Sequence, residues 1–172
     1  MLRSIAEGCV SFIRLLSGLN RKKRVVDDKR ICGAAENAIA SRLAPTLDRL
    51  PPAQVELHSQ AILKALVAAA KADGHVDERE RALIEGEFSK LDNDQELQQW
   101  LHAELSKPLD PTEVARAAST PEMAAEMYIA SVMLVDEESF MEKSYLDELA
   151  RQLKLEPGLK AELEKQVRQA SI

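Results

Sequence analysis

Ala69-Ala70-Lys71-Ala72-Asp73-Gly74-His75-Val76-Asp77-Glu78-Arg79-Glu80 is the stretch on which the fold turns. Upstream of it, Val55, Ile62, Leu63, Leu66, Val67 and Ala70 recur at i, i+3, i+4, i+7 spacing, the period of a helix with one apolar face. The run Ala65–Ala72 is almost wholly small and apolar. A helix apolar on most sides is central in a bundle, and small residues let its neighbours come close. Pro52 suits the first turn of that helix, and Gly74 suits a left-handed C-terminal cap. The next helix opens on Asp77 and Glu80, the acceptor and the back-reaching acid of a capping box.

The same punctuation recurs downstream. Ala130-Ser131-Val132-Met133-Leu134-Val135-Asp136 is followed by Ser139-Phe140-Met141-Glu142. Sliding one copy onto the other lays Glu142 on Glu80, Ser139 on Asp77, Tyr145 on Leu83 and Leu146 on Ile84. Asp136 falls on Asp73 when one loop residue is dropped. Each copy reads as helix, acidic corner, helix. Chance sharing of common caps would give the same signature.

Between and around the copies the spacing predicts further helices. One carries Leu83, Ile84, Phe88 and Leu91; another spans about Gln95 to Ser106, with Leu97, Trp100, Leu101 and Leu105 inward. Asp110-Pro111-Thr112-Glu113 supplies cap, first-turn Pro and box Glu for a short helix to Ala118. Thr120-Pro121 starts a helix running to about Val135, and Pro157 opens the last, with Leu159, Leu163 and Val167 on one face. No segment alternates with period two for long enough to be a strand. The expectation is an all-α bundle of two pseudo-repeated helical hairpins over residues 52–172. A basic amphipathic arm (1–24) and a partly helical linker (25–51) precede it. Gly33, Pro45 and Pro51-Pro52 interrupt the linker.

Charge is unevenly spread. Residues 1–30 hold eight Lys/Arg against three Asp/Glu, a balance of +5; the rest hold fifteen against twenty-six, a balance of -11. An acidic body repels phosphate backbones, and with 3% aromatics the chain lacks stacking platforms for single strands. A nucleic-acid partner is not expected. In the arm, Leu2, Ile5, Cys9, Phe12, Ile13, Leu16 and Leu19 fall at helical spacing before Arg21-Lys22-Lys23-Arg24. Such a helix lies in a membrane interface, or packs on the body or on a second copy; its amphipathicity does not separate these. Glu7 and Arg14 break the apolar middle that a signal peptide needs. No apolar run reaches 18 residues, so nothing in the sequence spans a bilayer. Cys9 and Cys32 read as thiols in a reducing compartment.

Ile62-Leu63-Lys64-Ala65-Leu66-Val67, Ala70–Arg81, Pro108-Leu109-Asp110-Pro111, Asp136 and Phe140-Met141-Glu142-Lys143-Ser144-Tyr145-Leu146 together resemble the TerB-like superfamily, whose founding member is associated with tellurite resistance. Within it, the chain is most similar to the YebE inner-membrane protein family. The resemblance covers about residues 55–170. It implies an all-helical TerB-like domain that holds a metal ion through acids at its two corners, Asp73 and Glu80 in one, Asp136 and Glu142 in the other. Many family members carry an apolar N-terminal membrane segment. This chain departs from that, since its arm is too charged to span.

The residues themselves make a physical case for a cation at Asp73 and Asp136. Each falls near a helix C-terminus, where the helix dipole disfavours a carboxylate by roughly 0.3–1 kcal/mol unless something positive offsets it. An oxygen-ligated divalent ion would do so; so would Lys71, Arg79, Lys143 or water. Glu80 and Glu142 are also accounted for as box residues. With Asp77 from the loop, the candidate metal set is Asp73, Asp77, Glu80, Asp136 and Glu142, the ion's identity being open. Asp73-Gly74-His75-Val76-Asp77 is not an EF-hand loop, since His75 occupies the third position and Gly comes second. His75 reads as a metal ligand, a pH sensor or a solvent-facing loop residue; His58 and His102 read as surface or half-buried. Neither zinc–thiolate spacing, nor a Ser-His-Asp order, nor a glycine-rich phosphate loop is present. The sequence therefore points to a non-catalytic module that binds a divalent cation at its corners and a protein partner through its surface. Its expected place is the cytoplasm, at the inner face of the inner membrane, or in a stress response. The rival reading is a metal-free protein-binding scaffold.

Overall fold

A computed structural model describes residues 51–72, 74, 76–91, 94–135 and 139–170, without the side chains of Pro52, Glu80, Glu87, Leu91 and Ala170. The amphipathic arm and nearly all of the linker lie outside the described residues. Among those described there are seven helices and no strand: α1 (Pro52–Ala70), α2 (Glu78–Leu91), α3 (Gln95–Ser106), α4 (Pro111–Ala115), α5 (Pro121–Leu134), α6 (Phe140–Gln152) and α7 (Pro157–Ala170). The chain is all-α.

Local chemistry accounts for most helix starts. Pro stands in the first turn of α1, α4 and α5, where its missing N–H costs nothing. Asp110 accepts from Thr112 N at 2.9 Å, and Thr120 Oγ1 from Met123 N at 3.1 Å. Ser139 Oγ accepts from Glu142 N at a longer 3.5 Å. Asp94 caps α3 by accepting from Glu96 N and Leu97 N. The fourth helix ends at Ala115, short of the expected Ala118. Residues 117 and 118 close onto carbonyls three back, Val114 and Ala115, and tighten out of the α-helix.

The apolar run of α1 is central, as its composition requires. From Ala61 to Ala69 every residue but Lys64 is buried. Its most extensive partner is α5, which buries Met123, Met127, Tyr128, Ser131 and Leu134. α3 and α4 also pack on α1, α4 on α6, and both α6 and α7 on α5; the principal neighbour of α2 is α3. α7 is pinned by polar contacts as well. Tyr128 donates to Glu164 at 2.6 Å, and Lys160 bridges Glu164 and Asp147 at 2.8 and 3.1 Å.

α1 and α5, the helices that precede the two aligned corners, face each other, yet the aligned positions are not buried alike. Leu83 is 46% exposed, whereas Tyr145, the residue it aligns with, is buried. His58 also differs from its surface or half-buried expectation. It is only 3% exposed and pairs through Nε2 with Glu126 of α5. His102 is exposed and meets Glu85 at 2.7 Å.

Candidate functional site

The first corner begins where α1 stops. Lys71 N bonds to Ala68 O and Ala72 N to Ala69 O, and Gly74 N then reaches Lys71 O at 3.0 Å. Gly74 has φ +134°, a region costly for any residue with a Cβ. The helix ends two residues earlier than a glycine in the C′ position would give, and Gly74 serves the corner itself. A Cβ built on Gly74 would lie 3.9 Å from Met141 Cε. Met141 stands in the first turn of α6, at the second corner. The two corners therefore adjoin, although they are far apart in sequence.

Of the five candidate ligands the structure places two. Asp77 is exposed at the entry to α2, and its carbonyl accepts from Arg81 N at 2.9 Å. Glu142 is only 4% exposed, in the first turn of α6. Asp73 and Asp136 lie outside the described residues, as do His75 and the side chain of Glu80. Among the described residues no cluster of three or more His, Cys, Asp or Glu is arranged to hold a metal.

Behind the first corner lies a charge network that sequence reasoning missed. Lys71 was one of the cations available to offset Asp73; instead its ammonium points across the bundle. It donates to Glu104 O at 2.7 Å and Lys107 O at 3.0 Å. These carbonyls belong to the C-terminal end of α3, where the dipole favours a cation. The Glu104 carboxylate, also buried, meets Lys107 at 2.6 Å and Lys64 at 3.8 Å. Glu113 of α4 takes Lys64 at 2.8 Å and Lys107 at 3.1 Å. Its side chain thus serves α1 and the α3 terminus, where the sequence suggested the back-reaching acid of a capping box.

Three titrations register this network. Burial holds Lys71 below the usual lysine range, against the upward pull of Glu104 and Glu113. Hydrogen bonds from Lys64 and Lys107 hold Glu113 down to about 2. Hydrogen bonds to Glu104 and Glu113 raise Lys107. The sequence signal was visible in hindsight: Lys64 and Lys71 are the two cations in an otherwise apolar run. Their partners are 33 to 49 residues away, beyond any local pattern. The arrangement ties the α1 terminus to α3 and α4 and so fixes where the first corner sits.

A second buried polar feature lies on α6. The Tyr145 hydroxyl makes no hydrogen bond among the described residues. Burial pushes its phenol well above the ordinary value, with the nearby Ser131 hydroxyl acting in the opposite sense. That hydroxyl is itself donated to Met127 O at 2.9 Å.

Fold and site together define an all-α domain in which a buried lysine ties the end of its central helix to the C-terminus of α3. The family described as "Protein of unknown function (DUF533)" matches residues 20–167, and the chain belongs to it, within the TerB-like superfamily. It is similar to the "Uncharacterized protein in ampR 5'region" of Yersinia enterocolitica, 31% identical over 117 residues, covering 68% of this chain and 84% of that protein. No solved structure matches. No helix among the described residues is long and apolar enough to cross a membrane.

Proposed function

We propose that this chain is a non-catalytic TerB-like module, nearest to the YebE branch, that binds a divalent cation where its two corners meet. It works at the cytoplasmic face of the inner membrane, in a role allied to stress resistance. The observation that carries the reading is the nearness of Gly74 to Met141, whose Cε would lie 3.9 Å from a Cβ built on the glycine. It supports a shared junction for the acids of the two corners, Asp73, Asp77 and Glu80 in one and Asp136 and Glu142 in the other. Hard divalent ions take several such oxygens. Their charge would offset the carboxylates of Asp73 and Asp136, which the sequence sets just past helix C-termini.

Thermal melts of the full chain with calcium, magnesium, manganese or zinc test this. An ion at a hundredfold its Kd stabilises by about 2.7 kcal/mol. The shift is expected to vanish in the Asp73→Asn, Asp136→Asn double variant. No shift with any ion, or an equal shift in that variant, overturns the cation. The second reading, a metal-free protein-binding scaffold, is favoured by Phe140 and Met141, which stand 84% and 55% exposed beside the junction. It is what remains if the melts show no ion.

A further inference from the structure

α7 barely enters the core. α5 buries eight side chains and α6 five, whereas of the described side chains of α7 only Leu163 is buried. Leu155, in the turn before it, and Val167 pack half-buried on the core, and Leu159 is 43% exposed. Fixing the fourteen residues of α7 costs conformational entropy, and little burial stands against that cost. Polar ties add to its hold, from Tyr128 to Glu164 and from Lys160 to Asp147.

The helix before it is complete without it. Lys154 N bonds to Arg151 O at 3.1 Å and Leu155 N to Ala150 O at 3.0 Å, the paired bonds that close a helix in a Schellman turn. Lys154 holds the left-handed position of that turn at φ +56°, the one non-glycine with positive φ among the described residues. A side chain is strained there, and opening the turn relieves it. Pro157 then starts α7 and has no N–H to continue α6. α7 can therefore leave without unravelling α6. Its departure bares a face of α5, its principal neighbour. Tyr128 is fully buried there and donates to Glu164 at 2.6 Å. The bared face offers a hydroxyl donor beside the surface that Leu163 had covered.

We infer that α7 is a releasable strap. It opens while α1 to α6 stay folded, and the α5 face it uncovers takes an amphipathic helix of a partner protein. The helix that fits has the chemistry α7 itself shows: an apolar anchor in the place of Leu163 and a carboxylate beside it, as Glu164, to accept from Tyr128. Docked α7 occupies that face and is autoinhibitory; a partner helix competes with it. The device depends neither on the corners nor on a cation.

Hydrogen exchange of the full chain tests the opening. Amides of residues 161–165 are read, away from the fraying C-terminal end. They are expected to exchange at least tenfold faster than those in the interiors of α1 and α5. Low urea should barely change their rate, because opening α7 exposes little surface. Equal protection, or a urea response as steep as that of α1, means that α7 opens only with the whole fold and overturns the strap. The uncovered face is tested in the full chain carrying Leu163→Asp with Glu164→Lys. That variant is expected to keep a cooperative melt and the Trp100 emission of the parent; loss of cooperative melting makes α7 part of the core and overturns the inference. The probe is a fluorescein-labelled peptide of residues 155–170, at up to about 1 mM, the local concentration a short tether supplies. It is expected to bind the variant at least tenfold more tightly than the parent, where α7 competes. A peptide carrying Leu163→Asp should not bind. No binding to the variant, equal binding to both chains, or binding that survives the peptide substitution overturns the docking face.

Discussion

Replacing Lys71 by Met isolates what the buried ammonium does, because Met keeps most of the apolar stem and removes only the charge. Two charge-assisted hydrogen bonds, to Glu104 O and Lys107 O, disappear. Each such bond is worth about 1.5–3 kcal/mol, so the gross loss is about 3–6 kcal/mol. The variant also escapes the cost of burying a charge, and that cost is substantial, since burial is the largest influence on Lys71 and pulls its pKa down. The Glu104 carboxylate keeps Lys107 and Lys64 as partners, so it is not stranded. The net expectation is a loss of about 2 kcal/mol. For a chain of this size that is a fall in Tm of about 4–8 °C, read by circular dichroism with urea melts as a check on two-state behaviour. An unchanged or raised Tm would mean that the α3 carbonyls are satisfied without Lys71. The account of the corner's anchoring would then be wrong.

Two further outcomes follow from the same geometry. Glu113 has its carboxyl held down to about 2 in the folded chain, against 4.5 for a free carboxyl. The folded state therefore binds the proton less readily than the unfolded one. The stability from this group is complete above about pH 5 and is lost as pH falls towards 2. Glu113→Gln should be less stable than the parent at pH 7, and the gap should close in acid; a gap constant with pH refutes the assignment. Because that side chain is more than a third exposed, the effect is small. Tyr145→Phe removes a buried hydroxyl with no hydrogen bond among the described residues. Melting should show no loss, and a gain of up to about 1 kcal/mol, whereas a loss of more than that would reveal a partner for the hydroxyl.

What was legible in the amino-acid order is what one helical turn can encode. The apolar period of α1, the caps at Asp110, Thr120 and Ser139, and the prolines that open α1, α4 and α5 are contacts within three or four residues. They gave an all-α chain with helix ends mostly right to within a residue or two. Of the site, the sequence offered two acidic corners, and the structure added that Gly74 and Met141 bring them together. Three things were decided only by tertiary structure. Lys71 turns away from its own corner towards α3. His58 is buried against Glu126, 68 residues away. Leu83 is left in solvent although its spacing is that of a core residue. The reason is the same in each case: a helical pattern marks which residues share a face, while packing of distant helices decides which face is covered and which charge finds its partner.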